Sequence, residues 1–198
     1  MKPFRHALSC ILLASTAVAF TAGCGTSPPS RFLTLASDTA ALQTTGEASA
    51  FSIVVGPVSV PELVDRPQLV LRTAPTSVDL VEQARWAAPL KSEIPRVIAS
   101  HLARLVPRAH VTTSTQRSTV TPSCRVLVDI QRFDSALNES AVIEASWTVH
   151  FRDGTSIGGR SVATQPAGAG YDELVAAHSR ALAAISRDIA AVITPAVK

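Results

Sequence analysis

The N-terminal segment determines how many residues of this chain are available to form a folded domain. Lys2 and Arg5 supply positive charge, and an uncharged, mostly apolar run follows from Ala7 to Phe20. A helix over that run would be about 21 Å long, short of the roughly 30 Å hydrocarbon core of a bilayer. The run is therefore typical of a secretory signal that is removed, and not of a membrane-spanning helix.

Three small residues, 21–23, directly precede Cys24. This arrangement resembles the lipobox of bacterial lipoproteins, in which the cysteine is acylated and the signal is cut off before it. We expect residues 1–23 to be the signal peptide, Cys24 to carry acyl chains such as palmitate, and residues 24–30 to form a tether. Several acyl chains together hold a protein firmly on a membrane, because each buried methylene contributes about 0.8 kcal/mol. Gly25, where sorted lipoproteins of the inner membrane have Asp, implies export to the outer membrane.

Removal of the signal changes both the charge and the cysteine count. Of 198 residues 175 remain, and the loss of Lys2 and Arg5 lowers the formal charge from +3 to +1. The basic isoelectric point is therefore no argument for nucleic acid. Cys124 is left as the single free thiol, so no intramolecular disulfide forms, and we expect it to be buried as a small apolar residue. Residues 31–198 are long enough for one domain with a real core.

The hydrophobic pattern predicts an α+β fold. Apolar residues at helical spacing predict helices over 92–106 and 171–193, the first capped by Ser92 with Pro95 in its first turn. Alternating residues predict strands over 125–134 and 141–151, followed by a two-residue hairpin turn at Asp153-Gly154. Further strands are expected over 31–35, 51–60 and 68–72, with a loop over 36–50. The expected architecture is a mixed, mainly antiparallel sheet with the two main helices packed on one face.

Pro61 and Pro67 bracket a charged segment that contains Asp65 and Arg66. Because each proline fixes its own φ and restricts the residue before it, we expect a stiff, exposed loop that presents a fixed charge pair. Trp86, further along the chain, is a candidate anchor for the same interface. The alternative is that Asp65 and Arg66 pair with each other to hold the loop and that Trp86 belongs to the core.

The candidate catalytic patterns lack the context that their chemistry needs. Gly154 to Gly158 matches G-x-S-x-G around Ser156, but a nucleophilic serine of that type needs a helix after the turn. Here a hairpin is predicted. Histidines 101, 110, 150 and 178 show no metal-ligand spacing, and the sequence has no phosphate loop and no dinucleotide motif. We therefore predict a protein that is not an enzyme and has no cofactor, no metal and no nucleic-acid partner.

Two further motifs carry a family resemblance. The segment from Val55 to Val70 contains Gly-Pro-Val, Val-Pro-Glu-Leu-Val-Asp-Arg-Pro and Gln-Leu-Val, and Arg85 to Leu90 reads Arg-Trp-Ala-Ala-Pro-Leu. Together they resemble the PqiC-like auxiliary lipoproteins of ABC-type transport systems, and the order of elements matches over nearly the whole mature chain. The resemblance implies a lipid-anchored accessory subunit on the periplasmic face of the outer membrane. It also implies an MCE-domain partner that spans the periplasm, in a system that moves lipids or maintains the envelope.

A second function is compatible with the sequence. The chain could be a stand-alone periplasmic lipoprotein that itself binds a lipid or a cell-wall fragment. A sizeable apolar pocket would favour this alternative, because a carrier must shield acyl chains from water. Self-association is left open by the sequence.

Overall fold

The computed structural model describes residues 29–36, 51–116 and 121–197. These ranges contain eight strands and two α-helices, followed by a short 3-10 helix over Thr194–Ala196. The strands are β1 (Arg31–Leu33), β2 (Phe51–Ser59), β3 (Gln68–Ala74), β4 (Ser77–Trp86), β5 (Ala109–Thr113), β6 (Cys124–Ala136), β7 (Ser140–Phe151) and β8 (Ser156–Pro166). The helices are α1 (Leu90–Leu105) and α2 (Tyr171–Ile193).

Five strands form the larger sheet in the order β5-β2-β6-β7-β8. Strand β2 runs parallel to both β5 and β6, whereas β6, β7 and β8 are joined as antiparallel neighbours. Helix α1 packs against β2 and β5, helix α2 packs against β7 and β8, and the two helices touch each other. The predicted α+β architecture is confirmed. In strand β7, buried side chains alternate with half-exposed ones. Helix α2 therefore packs on only one face of this strand.

Three strands form a smaller sheet in the order β1-β4-β3. Strand β4 is antiparallel to β3 and parallel to β1. Strand β3 lies beside β6, which continues past the last residue that it pairs with β2, Asp129. The smaller sheet therefore sits where β2 leaves the larger sheet and turns into the loop that begins at Pro61.

Residues 31–36, named the strap here, tie the start of the described chain to three elements. The Leu33 carbonyl accepts a hydrogen bond of 2.7 Å from the N–H of Ala87, which follows β4. The buried Glu93 carboxylate of α1 accepts bonds from the Thr34 hydroxyl at 2.8 Å and from the Leu35 N–H at 3.0 Å. The Ala36 N–H donates to the Ser179 hydroxyl of α2 at 3.0 Å. Leu33 and Leu35 are themselves buried in the core.

The structure corrects several local predictions. Helix α1 begins at Leu90, because the Pro89 carbonyl accepts bonds from the N–H groups of Ser92 and Glu93, so Ser92 is not its cap. Pro95 consequently lies in the second turn and not in the first. The predicted two-residue turn between β7 and β8 is instead four residues long, 152–155. Its closing bond runs from the Phe151 N–H to the Thr155 carbonyl at 2.8 Å.

Candidate functional site

The loop between Pro61 and Pro67, called the Pro loop below, is held at both ends. Close to its start, the N–H groups of Val64 and Asp65 donate to the Pro61 carbonyl at 3.1 and 3.2 Å, which closes a helical turn. At its end, the Pro67 carbonyl accepts a bond of 2.7 Å from the Trp86 N–H. Val64 is buried under the loop. The loop backbone is therefore fixed by the surrounding fold, in agreement with the stiffness expected from its two prolines.

The two charged residues of the Pro loop have different surroundings. The Asp65 carboxylate is 2.5 Å from the Lys91 Nζ in the first turn of α1, so its partner is Lys91 and not Arg66. Arg66 is exposed, and among the described residues its guanidinium has no hydrogen bond or ion pair. In the same loop, three residues earlier, Leu63 is 41% exposed. The loop thus presents one unpaired positive charge and one exposed apolar side chain.

Trp86 lies beneath this surface and not on it. It is 5% exposed, and its ring meets that of Phe133 edge to face, with centroids 6.1 Å apart. Phe133 in turn stacks on the imidazole of His178, with centroids 4.0 Å apart. These three rings join the smaller sheet, the larger sheet and helix α2, so Trp86 supports the Pro loop from within the core.

His178 is a buried, neutral imidazole. Its Nε2 is 2.7 Å from the Ser135 hydroxyl, and its Nδ1 has no hydrogen-bond partner among the described residues. Burial lowers the pKa of His178 to about 3, although the charge of Asp134 acts in the opposite direction. His101 is also buried, with Nδ1 3.3 Å from the Ser186 hydroxyl. Both histidines are hydrogen-bonded packing residues.

A cleft of about 340 Å³ opens beside the Pro loop. Its lining residues are Pro61, Leu63, Val64, Arg72, Gln131, Arg132, Phe133, Asp134 and Glu144. The Asp134 carboxylate accepts bonds from Arg72 at 2.9 Å and from Arg132 at 2.6 Å. Burial alone would raise the pKa of Asp134, but these two guanidiniums outweigh it and hold the pKa below its usual value. Four of the nine lining residues are thus charged, and each of these four has an ion-pair partner.

Ser156 stands in a context unlike that of a nucleophilic serine. It opens strand β8, so a strand and not a helix follows the turn. Its hydroxyl lies 2.7 Å from the His150 Nδ1 on the exposed face of the hairpin. His150 has no carboxylate partner among the described residues, and an activated serine needs a histidine oriented by a third group. The geometry gives no support to the hydrolase interpretation.

The remaining sequence predictions concern Cys124, metal binding and the lipid anchor. Cys124 is buried, as predicted, and its burial raises the pKa of the thiol to about 12. Within the described ranges, no group of three or more His, Cys, Asp or Glu could hold a metal ion. In the same ranges, no helix has the length and apolar character needed to cross a bilayer. Cys24, the predicted lipidation site, lies outside the described residues.

The sequence did not identify three residues of this region. Lys91 pairs with Asp65. In the sequence, only its position directly after the Trp-Ala-Ala-Pro-Leu motif indicates that it belongs to this region. Arg72 and Asp134, 62 positions apart, are joined only through the packing of β3 beside β6. No spacing rule relates two such positions in a sequence.

Two solved structures resemble the chain over most of its length. One is a crystal structure of an uncharacterized protein, with a TM-score of 0.71 and 19% identity, covering 84% of this chain and 99% of the other. The second is a protein from Xanthomonas campestris described by the family model DUF330, with a TM-score of 0.64 and 14% identity, covering 83% and 95%. At such identities the likeness shows a shared fold. A search of curated protein sequences found no match.

The shared fold does not identify the family of this chain, whereas a match to a family model does. The model for the ABC-type transport auxiliary lipoprotein component matches residues 33–190. That range includes the Pro loop, Trp86, strands β2 to β8, helix α1 and all but the last three residues of helix α2. The chain belongs to the family of ABC-type transport auxiliary lipoproteins.

Proposed function

We propose that this protein is the lipid-anchored accessory subunit of an MCE-type transport system that moves lipids or maintains the envelope. In this proposal Cys24 is acylated after removal of residues 1–23, and the anchor lies in the outer membrane. The domain faces the periplasm and docks an MCE-domain protein that spans the periplasm. Family membership supports the transport role, and the resemblance of the Pro loop and the Trp-Pro-Leu motif supports the partner.

The observation that carries the docking role is the unpaired charge of Arg66 on a fixed loop. A guanidinium offers several N–H donors in a planar fork, which suits a carboxylate of a partner. Because the loop is held by Pro61 and Pro67, little backbone entropy is lost when Arg66 binds. The exposed Leu63 in the same loop adds apolar area. The surface therefore suits a partner segment that combines an acidic side chain with an apolar one.

Asp65 and Trp86 act in the same proposal by holding the surface in place. Asp65 ties the Pro loop to Lys91 on α1, and Trp86 bonds to the Pro67 carbonyl. Their substitution should weaken docking through a displaced loop, whereas substitution of Arg66 should weaken it directly.

The cleft gives the lipid-carrier alternative little support. Apolar ligands occupy pockets that are lined mainly by hydrophobic side chains. The cleft beside the Pro loop instead contains two guanidiniums and two carboxylates. An acyl chain placed there would remove those charges from water without giving them new partners.

The test is capture of the partner from gently solubilised envelopes, read by mass spectrometry, with the tagged full chain as bait. We expect the wild-type protein to recover an MCE-domain protein. Arg66→Glu should lower the recovery about tenfold or more, since a lost and reversed charge at an interface costs over 1.4 kcal/mol. A Cys24→Ala variant should leave the membrane fraction.

The matched control is Arg187→Glu. Arg187 is another exposed arginine for which the structure gives no partner among the described residues, and it lies on α2. It should leave recovery unchanged. Equal recovery by Arg66→Glu and the wild type would contradict the docking role of Arg66, and absence of any MCE-domain protein from all samples would contradict the proposed function.

A further inference from the structure

Phe32 is more exposed than any other large apolar side chain that the structure describes. It is 67% exposed, and Val162 on strand β8 follows with 61%. A single exposed apolar residue is common on protein surfaces and needs no explanation by itself. The position of Phe32 makes it informative, because it belongs to the first strand after the predicted lipid anchor.

The fold fixes the direction in which Phe32 points. In the short strand β1 the next residue, Leu33, is buried in the core, so Phe32 faces outward. The strap holds the backbone through bonds to Ala87, Glu93 and Ser179. The ring is therefore presented by a fixed backbone and not by a free end.

The length of the tether limits the distance between Phe32 and the anchor. Phe32 lies eight positions after Cys24. Even a fully extended chain of that length spans at most roughly 29 Å. An acylated Cys24 would therefore keep the β1 side of the domain close to the membrane surface, whereas β8 is an edge strand of the other sheet.

The charges around Phe32 are already paired. Arg85 faces Phe32 across the β1–β4 ladder, and its guanidinium is 3.3 Å from the Glu82 carboxylate. Arg31 pairs with Asp172 in the first turn of α2. On this surface the aromatic ring of Phe32 is therefore surrounded by arginines whose charges are balanced by carboxylates. Exposed apolar side chains such as phenylalanine insert at the boundary between lipid headgroups and acyl chains.

We propose that the outward face of β1, centred on Phe32, rests on the lipid surface to which the protein is anchored. The proposal relies on the anchor at Cys24 that the proposed function assigns. Because the neighbouring arginines are paired, contact does not depend on anionic lipid, and zwitterionic phosphatidylcholine is sufficient. The face thereby sets the orientation of the domain relative to the membrane.

The experiment places a tryptophan at the proposed contact and measures its distance from the acyl chains. The mature chain, residues 24–198, is coupled through Cys24 to a maleimide lipid in phosphatidylcholine vesicles. Cys124 does not compete, since it is buried and its thiol has a pKa of about 12. Phe32→Trp is compared with Val162→Trp in vesicles with and without brominated acyl chains. The unsubstituted chain gives the background from the buried Trp86 and Trp147.

We expect the added fluorescence of Phe32→Trp to shift to shorter wavelength on coupling and to be quenched by brominated chains. Val162→Trp should show neither change. Equal quenching of the two variants, or none of either, overturns the proposal. So does the case in which Phe32→Ser abolishes capture of a protein partner while vesicle quenching is absent, because Phe32 then binds protein.

This result is separable from failure of the proposed function. Chemical coupling supplies the anchor, so quenching does not depend on whether a cell acylates Cys24. Acylation is read independently from the mass of the protein purified from membranes, and docking is read from the capture assay.

Discussion

At Gly159 on strand β8, an added methyl group is expected to lower the stability of the fold. A Cβ built there would lie under 3.0 Å from three carbon atoms of the Trp147 indole. Trp147 is 7% exposed, and its indole N–H donates to the Ser161 hydroxyl at 3.0 Å. The ring therefore cannot move aside without giving up that hydrogen bond, which continues to Asp188 on α2.

The size of the effect follows from three contributions. Overpacking a buried site costs about 1–3 kcal/mol. Loss of the indole hydrogen bond adds about 1 kcal/mol. Replacing glycine by alanine reduces the entropy of the unfolded chain and returns about 0.4–1 kcal/mol. We expect Gly159→Ala to lower the free energy of unfolding by about 1–3.6 kcal/mol, and each kcal/mol lowers Tm by about 2–4 °C.

The neighbouring glycine provides the matched control. A Cβ at Gly158 would be 3.6 Å from the Trp147 carbonyl oxygen and 3.7 Å from the Thr148 hydroxyl oxygen, which are ordinary contacts. Gly158→Ala should therefore be neutral or slightly stabilising. Gly158 is also the last glycine of the G-x-S-x-G pattern, and a tolerated alanine there agrees with an ordinary strand.

The assay is urea unfolding of the mature chain followed by circular dichroism. In a double-mutant cycle, Trp147→Leu should make Gly159→Ala at least about 1 kcal/mol less costly, because the clash is with the indole. Equal stabilities of Gly158→Ala and Gly159→Ala would refute the packing argument, as would an unchanged cost of Gly159→Ala in the Trp147→Leu background.

Three other predictions concern buried groups. Burial lowers the pKa of His178 from 6.5 to about 3, so the unfolded chain binds one more proton between these values. Stability should fall by up to about 1.4 kcal/mol per pH unit as the pH drops from 6.5 towards 3, and His178→Gln should flatten that slope in acid unfolding curves. With Cys24 replaced by Ser, a thiol reagent at pH 8 should label Cys124 only after unfolding in urea, and rapid labelling of the folded chain would contradict its burial. Glu93→Ala should cost about 2–4 kcal/mol and raise hydrogen exchange at the Leu35 N–H, whereas Glu93→Gln, which keeps an acceptor, should cost less.

The sequence predicted the elements whose burial follows a simple period. The bounds of α2 were predicted at Tyr171 and Ile193, because its apolar residues repeat along one stripe over six turns. Strand β7 was found by its alternation. Strand β4 was missed since its middle, from Asp79 to Gln83, is exposed or half-exposed on both faces and shows no such alternation. Strand β5 was missed because it is a short edge strand with one fully buried residue.

Strand pairing and the site contacts depend on the whole fold. Nothing in the residues of β2 shows that it lies between two parallel neighbours, because that position is set by α1 crossing over the sheet. The stiffness of the Pro loop was predictable from its prolines. The pairing of Asp65 with Lys91 was not, since the two residues are 26 positions apart and strands β3 and β4 lie between them.

The strap also determines how the domain bears a mechanical load. A pull on the chain ahead of Arg31 enters the fold through residues 31–36, which are attached in succession to Ala87, Glu93 and Ser179. These attachments lie at the end of β4, on α1 and on α2, so three separate elements hold the strap. Release of the strap under load therefore requires the loss of contacts with all three elements, together with exposure of the buried Leu33 and Leu35.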